Sequence, residues 1–424
     1  MKKIRNINIL VLGSGAREHS ICEKLYQSKY KKKVFCFPGN AGIAKVAKIV
    51  KVDINNFLDI SKFCKRNNID LVIPGSEVYL EKGISDFLKL EGISVIGPSK
   101  YASSLESSKY FTKKMCDLSN IKTARWEVLE NAKKTKNIIK KKKFPLVIKM
   151  DSLAAGKGVL VAKNLREANK FLNNIINGKL GDKNSKIILE ECLFGEEASF
   201  FFAVDESDIK FLGSAKDYKR IGEGNKGLNT GGMGCISPSP KENSKVTLKI
   251  IRDIIKPTIK TMKDLGYPFQ GFLYAGVMFT KKGIYLIEYN VRLGDPECQA
   301  VLARLKTDFI DICLAVKNKT LSNLKIEKFK KKVACVVLAS KGYPEKYAKN
   351  IEIFGINDFE KNNNIKIYHA GTKKNNSGKI VTNGGRVLNI IGKANTIKIA
   401  LDLAYSACKK IYWKGCLYRR DIGS

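Results

Sequence analysis

No stretch of about 18 apolar residues occurs in this sequence, which excludes a membrane-spanning helix. The first apolar run, Ile7-Asn8-Ile9-Leu10-Val11-Leu12, is too short for a signal-peptide core. A glycine-rich turn follows it instead of a cleavage site, so a cytoplasmic location is expected. There is no Cys-x-x-Cys pair. The eleven cysteines are scattered and odd in number, which argues against a disulfide framework and against a zinc site. Internal repeats are missing too. Acidic residues are scarce beside basic ones, 40 against 78, and the formal net charge is +38. Such an excess favours anionic partners. Arginine is nevertheless rare, with 12 of the 78 basic positions against 66 for lysine. Nucleic-acid readers lean on the bidentate and stacking contacts of arginine. The dispersed lysine therefore reads as compositional drift, and no specific nucleic-acid partner is expected.

Scarcity also gives a probe. Where a chain so rarely uses arginine, the positions that keep it are candidates for needing guanidinium geometry. Arg17, Arg220, Arg292 and Arg386 all lie beside glycine-rich or polar turns, as do the only two histidines, His19 and His369.

At 424 residues the chain exceeds the size at which one core stops growing, so two to four domains are expected. The run from Ile7 to Leu12 reads as a buried parallel strand, with a helix to about Ser28. Further strands are expected at Val34-Phe35-Cys36-Phe37, Leu71-Val72-Ile73-Pro74 and residues 93–98, with a helix near 55–67. Strands alternating with helices argue for an α/β fold with a doubly wound parallel sheet, whose ligands bind at the carboxyl ends of the strands. Gly13, Asn40 and Glu77 fall there. A small separate lobe is expected around strands at 146–149, 159–161 and 187–191 and a helix at 165–176. After about Lys330 short strands dominate, with a last helix near 396–412.

Four constellations carry chemistry. Gly13-Ser14-Gly15-Ala16-Arg17-Glu18 joins a strand to a helix, and its backbone N–H groups suit an anion. Alone, it reads equally as a tight turn. Lys149 with Leu153-Ala154-Ala155-Gly156-Lys157-Gly158 offers a lysine at a strand end and a small-residue loop able to close over a triphosphate. It is no Walker A loop, because Gly158 follows Lys157 where Ser or Thr is required. A carboxylate at Glu190 or Glu191 could hold a ribose hydroxyl, or simply be a solvated strand end. In the strand ending Glu288-Tyr289-Asn290, the period of two puts Glu288 and Asn290 on one face. Two oxygen ligands there suit Mg²⁺, which keeps water and phosphate oxygens as its other ligands. Arg292 continues that face and could clamp an anion. Asn229-Thr230-Gly231-Gly232-Met233-Gly234 could fold over substrate, or be a flexible surface loop.

These pieces, with Pro38-Gly39-Asn40-Ala41-Gly42, Gly195-Glu196-Glu197, Gly294-Asp295-Pro296-Glu297, His369-Ala370-Gly371-Thr372 and Asn383-Gly384-Gly385-Arg386, stand in an order that resembles the phosphoribosylamine–glycine ligase family over nearly the whole chain. The resemblance implies an ATP-grasp architecture. Residues 1–102 would form a Rossmann-like substrate domain. Residues 103–328 would form the ATP-grasp region, with a lid lobe at about 124–194 and a central lobe at about 195–328. Residues 329–424 would form a β-rich domain. It implies a monomer joining glycine to 5-phosphoribosylamine with ATP and Mg²⁺ or Mn²⁺. Lys109 and Lys149 would hold phosphates under the lid loop of Gly156, Lys157 and Gly158. Glu190, Glu191 and Glu197 would surround the nucleoside, and Glu288 and Asn290 would bind the metal. Gly13, Gly15, Arg17, Glu18, Asn40 and Glu77 would form the ribosylamine side. Asp217, Asn229, Thr230, Gly231, Gly232, Arg292 and Asp295 would line the reacting centre. Three positions depart from the family pattern, and a fourth departs only from the wider ATP-grasp pattern. Ala16 replaces a glycine, where a positive φ would be strained. Ser76 replaces a common proline and Tyr218 a frequent histidine. Gly276 stands where many ATP-grasp enzymes carry a further metal carboxylate. A biotin-dependent carboxylase component would share the ATP and metal elements but not the Asn40 loop or the run from Asn229 to Gly234.

Overall fold

The computed structural model describes residues 6–53, 56–153, 158–359 and 362–424. Strand β1 (Ile7–Gly13) is buried on both faces, as a central parallel strand must be. Helix α1 (Ala16–Tyr26) returns the chain to β2 (Lys32–Pro38), followed by β3 (Lys48–Ile49). Helix α2 (Phe57–Arg66) leads back past β1 to β4 (Leu71–Pro74). The sheet is parallel throughout, in the order β3-β2-β1-β4. The order reverses beside β1, which opens a crevice at the carboxyl ends of β1 and β4. Helix α3 (Glu77–Glu81) starts at that crevice. The strand expected over 93–98 is reduced to one bridge, Val95 to Val72. Pro98 has no N–H to donate, and Gly97 packs its backbone against Gly271, so the chain leaves the sheet there.

Helices α4 (Ile84–Leu90), α5 (Ser104–Ser107) and α6 (Lys109–Leu118) lead into a small lobe. It contains β5 (Trp126–Leu129), α7 (Ala132–Ile138), β6 (Leu146–Met150), β7 (Val159–Ala162), α8 (Leu165–Ile176) and β8 (Ile187–Glu191). Its sheet runs β5-β8-β6-β7 with antiparallel neighbours. Asn164 caps α8 by accepting the Glu167 N–H. Ala168, Phe171, Leu172 and Ile175 form one apolar stripe of that helix, buried against Ile148, Met150, Ile187 and Leu189. Each of the three larger side chains contributes about 2 kcal/mol by leaving water. The lobe therefore has a core of its own.

The remaining strands are β9 (Glu196–Asp205), β10 (Ile209–Asp217), the hairpin of β11 (Arg220–Gly222) and β12 (Lys226–Asn229), β13 (Gly234–Ser237), β14 (Gln270–Thr280) and β15 (Gly283–Asn290). Helices α9 (Ser244–Ile250) and α10 (Lys256–Asp264) precede β14, and α11 (Glu297–Arg304) and α12 (Phe309–Asn318) follow β15. The C-terminal part contributes β16 (Lys332–Ser340), β17 (Ile365–His369), β18 (Thr372–Lys374), β19 (Ile380–Thr382), β20 (Arg386–Ala394), α13 (Ile397–Lys410) and β21 (Cys416–Leu417). One sheet runs β15-β14-β9-β10-β13-β16-β20-β17, with β21 paired to β16. The C-terminal strands thus continue the central sheet through the antiparallel pair β13–β16. A single core reaches from Ile9 and Val11 of β1 through Cys298, Val301, Leu302 and Ile312 to Phe201, Leu212 and Val337. Helices α11 and α12 are the packing layer that fixes the parallel sheet against the large one. All eleven cysteines are free thiols. No helix among the described residues is long and apolar enough to cross a membrane.

Candidate active site

The crevice beside β1 is built around one carboxylate. Glu18, in the first turn of α1, folds back to accept the Gly15 N–H at 2.5 Å and the Arg17 Nε–H at 2.8 Å, and is almost fully buried. A Cβ on Gly13 would lie 2.5 Å from Glu18 Cγ, and one on Gly75 would lie 2.0 Å from its Oε1. The glycines of this turn therefore make room for Glu18 in the first place. Gly13 also has φ of +139°, outside the range of other residues. Ala16 is the first residue of α1 and has no positive φ, so the strain expected at that departure is not there. Ser76 caps α3, accepting the Val78 N–H. Asn40 is spent inside the protein. Its Nδ2 donates to Ser14 O at 2.8 Å and His369 O at 2.7 Å, and its Oδ1 accepts the N–H groups of Gly42 and Ile43, each at 2.9 Å. It shapes the loop and ties the C-terminal strands to the crevice.

Arg292, just past β15, joins this crevice to the rest. It donates to Glu77 at 3.1 Å and to Glu106 at 2.7 Å. Burial opposes ionisation of Glu77, but Arg292 and Arg17 win and hold its carboxyl at about 2. Glu106, on α5, also accepts the Val291 N–H at 2.7 Å. Burial pushes its carboxyl up to about 7 despite Arg292. Asn290, oriented to satisfy its neighbours, donates to Glu106 Oε1 at 3.0 Å and to Tyr289 O at 3.1 Å.

The lid lobe and the helix leading into it supply ammonium groups. Lys149 on β6 and Lys113 on α6 share Glu190 of β8 at 2.8 and 3.2 Å, all three buried. Lys109 opens α6 and donates to Ser152 O at 2.7 Å, and Ser108 and Tyr110 N–H hold Asp151 beside it. Burial lowers the pKa of Lys109, against the pull of Glu288. The three carboxylates expected round the nucleoside do not converge. Glu190 neutralises lysines, whereas Glu191 faces the other side of β8 and pairs with Arg125 at 3.0 Å, as the period of two requires. Glu197 lies 3.4 Å from Lys219. Gly158 accepts the Met150 N–H at 2.8 Å. Gly156 and Lys157 lie outside the described residues.

Between these groups lies Glu288. Burial raises its pKa, but Lys219, Lys149 and Lys109 more than offset that and keep it ionised. Asp217 ends β10, and burial pushes its carboxyl up against the pull of Lys219. Burial and Asp217 push Glu297 up to about 7. Asp295 accepts from Arg386 at 3.3 Å and from Gln299 at 2.8 Å. The glycine-rich loop after Asn229 is pinned. Thr230 donates N–H and Oγ–H to Lys219 O, both at 2.8 Å, while Gly231 O accepts from Arg386 at 2.7 Å and Gly231 N–H donates to Tyr343 Oη at 3.0 Å. Gly232 has φ of +111° and abuts Pro296. The loop is tied in this conformation to Lys219 on one side and to the C-terminal strands on the other. Tyr218 points away from the cleft, and its hydroxyl donates to Ser424 O at 3.1 Å.

Among the described residues no group of three His, Cys, Asp or Glu is arranged to hold a metal. Glu288 and Asn290 still fit a divalent cation that takes most of its ligands from phosphate and water, because Glu288 is kept anionic and Asn290 stands two residues on along the same strand. Of the arginines and histidines marked by scarcity, Arg17, Arg292 and Arg386 reach this cleft. The two histidines meet beside it, His19 Nδ1 accepting the His369 N–H at 2.8 Å. Arg220 instead braces its own hairpin, donating to Gly227 O at 2.9 Å. Sequence reasoning missed four groups. Glu297 stood in a quoted motif without a role. Lys219 and Lys113 were lost among the lysines. Glu106 lies in a short helix without any motif.

An antiparallel lid sheet carrying the buried Lys149, with Lys109 and Lys113 on the helix before it, set across from a strand that ends in an acid–amide pair, defines an ATP-dependent ligase of the ATP-grasp class. The fold recurs in a biotin carboxylase domain of 2-oxoglutarate carboxylase from Hydrogenobacter thermophilus, with a TM-score of 0.71 at 17% identity, covering 97% of this chain and 91% of that one. Family models for phosphoribosylglycinamide synthetase match in succession: the N domain over 7–106, the ATP-grasp domain over 107–298 and the C domain over 333–424. The chain belongs to this family. It is 41% identical to a phosphoribosylamine–glycine ligase of Brucella melitensis over 98% of this chain and 97% of that one. It is 40% identical to one of Caldanaerobacter subterraneus over 99% and 100%. The crystal structure of the Thermotoga maritima phosphoribosylamine–glycine ligase superposes with a TM-score of 0.85 at 32% identity, covering 98% of this chain and all of that one.

Proposed function

We propose that this chain joins glycine to 5-phosphoribosylamine with ATP, giving glycinamide ribonucleotide, ADP and phosphate in de novo purine biosynthesis, through glycyl phosphate. The observation that carries the reading is a single charged cleft on which three parts of the chain meet. Residues 1–102 bring Glu18 and Glu77, residues 103–328 bring Lys109, Lys149, Glu288 and Arg292, and residues 329–424 bring Arg386. The cleft suits small-molecule partners, with the protein acting as a cytoplasmic monomer and without a specific nucleic acid.

A carboxylate and an amine do not condense unaided in water. In the first step the glycine carboxylate oxygen attacks the γ-phosphorus and the bond to the ADP oxygen breaks. In the second the ribosylamine nitrogen attacks the acyl carbon and phosphate leaves. Lys109 and Lys149 hold the phosphates, with Glu190 fixing Lys149 in place. Glu288 and Asn290 hold Mg²⁺ or Mn²⁺, which would neutralise charge on the transferring phosphoryl group. Arg292, clamped by Glu77 and Glu106, presents guanidinium charge at the junction of the two substrate sides, and preorganised charge of this kind stabilises both anionic transition states. Asp217 and Asp295 border the acyl centre, beside the wall formed by Thr230, Gly231 and Gly232. The loop of Gly156, Lys157 and Gly158 would cover the phosphates.

ADP release with Mg²⁺ and ATP tests this. Glycine is supplied with ribosylamine generated in place from ribose 5-phosphate and ammonia. Release is expected to need both and to fall by at least about 10²-fold in Glu288→Ala. Release supported by bicarbonate instead of glycine would overturn the substrate assignment and leave the ATP-grasp class standing.

A further inference from the structure

Lys219 follows the end of β10 and reaches into the midst of acidic groups. Its Nζ stands 3.4 Å from Glu288 Oε1 and 3.4 Å from Glu197 Oε2, and Asp217 lies two residues before it. The other ammonium groups of the cleft are already engaged elsewhere. Lys149 and Lys113 face Glu190, and Lys109 donates to Ser152 O. The backbone of Lys219 is fixed, because its carbonyl accepts both the N–H and the hydroxyl of Thr230. Across the strand pair, Glu288 is opposite Gly276. A Cβ on Gly276 would come within 3.0 Å of Tyr274 Oη and 3.3 Å of Glu288 Cγ, so a side chain there would require one of these neighbours to shift.

Three carboxylates round the phosphates of a bound nucleotide would ordinarily collect more than one divalent cation, since each Mg²⁺ needs only one or two protein oxygens. Here an ammonium already stands between two of them. It carries a single charge and three donors, enough to satisfy Glu197 and Glu288 and to turn one N–H toward a phosphoryl oxygen. A second divalent ion at the same place would meet that charge at contact distance.

We propose that Lys219 is a resident cation of the phosphoryl-transfer centre, standing in place of a second divalent ion and limiting the site to one metal per bound nucleotide. The proposal rests on reading Glu288 as the metal ligand. Lys219 thereby sets the metal stoichiometry of the site as well as adding to its positive charge.

Mn²⁺ is the probe, counted by electron paramagnetic resonance on the full-length protein saturated with a non-hydrolysable ATP analogue. Wild type and Lys219→Arg are expected to hold one Mn²⁺ per nucleotide. Lys219→Met is expected to hold two, the second more weakly. Its kcat at low Mg²⁺ is expected to fall about 10²-fold and to recover in part as Mg²⁺ is raised. One Mn²⁺ in Lys219→Met, with no recovery at high Mg²⁺, overturns the proposal. If that variant does not fold, Lys219→Gln carries the same count with the same two outcomes. Glu288→Gln separates the underlying reading: if it holds Mn²⁺ as tightly as wild type, the metal assignment itself fails, whatever Lys219 does.

Discussion

At the scale of single residues, the cleft shows two kinds of polar group that sequence motifs do not distinguish. Glu288 faces the Lys219 ammonium across the cleft with a partly exposed side chain, whereas Asn40 has every polar atom bonded within the protein. Asn40→Ala removes two donor contacts and leaves the Gly42 and Ile43 N–H groups without their acceptor. A cost of roughly 2–4 kcal/mol is expected, read as a drop in the urea midpoint. Asn40→Asp is expected to cost at least as much although it keeps the acceptor, because its second oxygen would face the carbonyls of Ser14 and His369. If Asn40→Asp proves as stable as wild type, the side chain is not the tie described here. Both types of residue looked alike in the sequence, since a motif records that a residue type is present and not where its hydrogen bonds go.

At the scale of elements, the loop after β12 illustrates how a glycine-rich segment can be rigid. Thr230 Oγ1 donates to Lys219 O and accepts the Gly232 N–H at 3.0 Å, while Arg386 and Tyr343 hold Gly231 from the C-terminal strands. Thr230→Val keeps the shape and removes both hydroxyl bonds. A stability loss of about 1–2 kcal/mol is expected. Faster amide exchange at Gly232 and Met233 and a roughly tenfold lower kcat are expected with it, because Lys219 is positioned through the same carbonyl. Unchanged exchange at those amides would show that the loop is held by its other anchors alone. The elements themselves were largely legible. Helix α8 and strands β6, β7 and β8 fall where apolar periodicity puts them. The strand expected over 93–98 did not form, because the approach of Gly271 to Gly97 is a tertiary contact that no local pattern encodes.

At the scale of the molecule, the parallel sheet and the large sheet are joined by apolar packing through α11 and α12 and by the Glu77–Arg292–Glu106 link. The link gives a pH signature. Glu77 sits at about 2 in the folded protein against about 4.5 when free, so the unfolded chain binds more protons between those values. Its contribution, on the order of 3 kcal/mol at most, is complete above about pH 4.5 and is lost as pH falls toward 2. Urea titrations over that range are expected to show an acid loss of stability that is shallower in Glu77→Gln. Equal slopes would mean that Arg292 does not depress this carboxyl. The sequence by itself determined the α/β class, the order of most elements, the family and most of the residues at the cleft. Those follow from apolar periodicity, turn chemistry and short motifs, all of which are local. Only the tertiary structure decided that the C-terminal strands extend the central sheet through β13 and β16 and that Glu190 serves two lysines. It alone brought Glu106 and Lys219 into the cleft. Each of those depends on groups far apart in the chain meeting in space, and on how charge is shared once they are buried together.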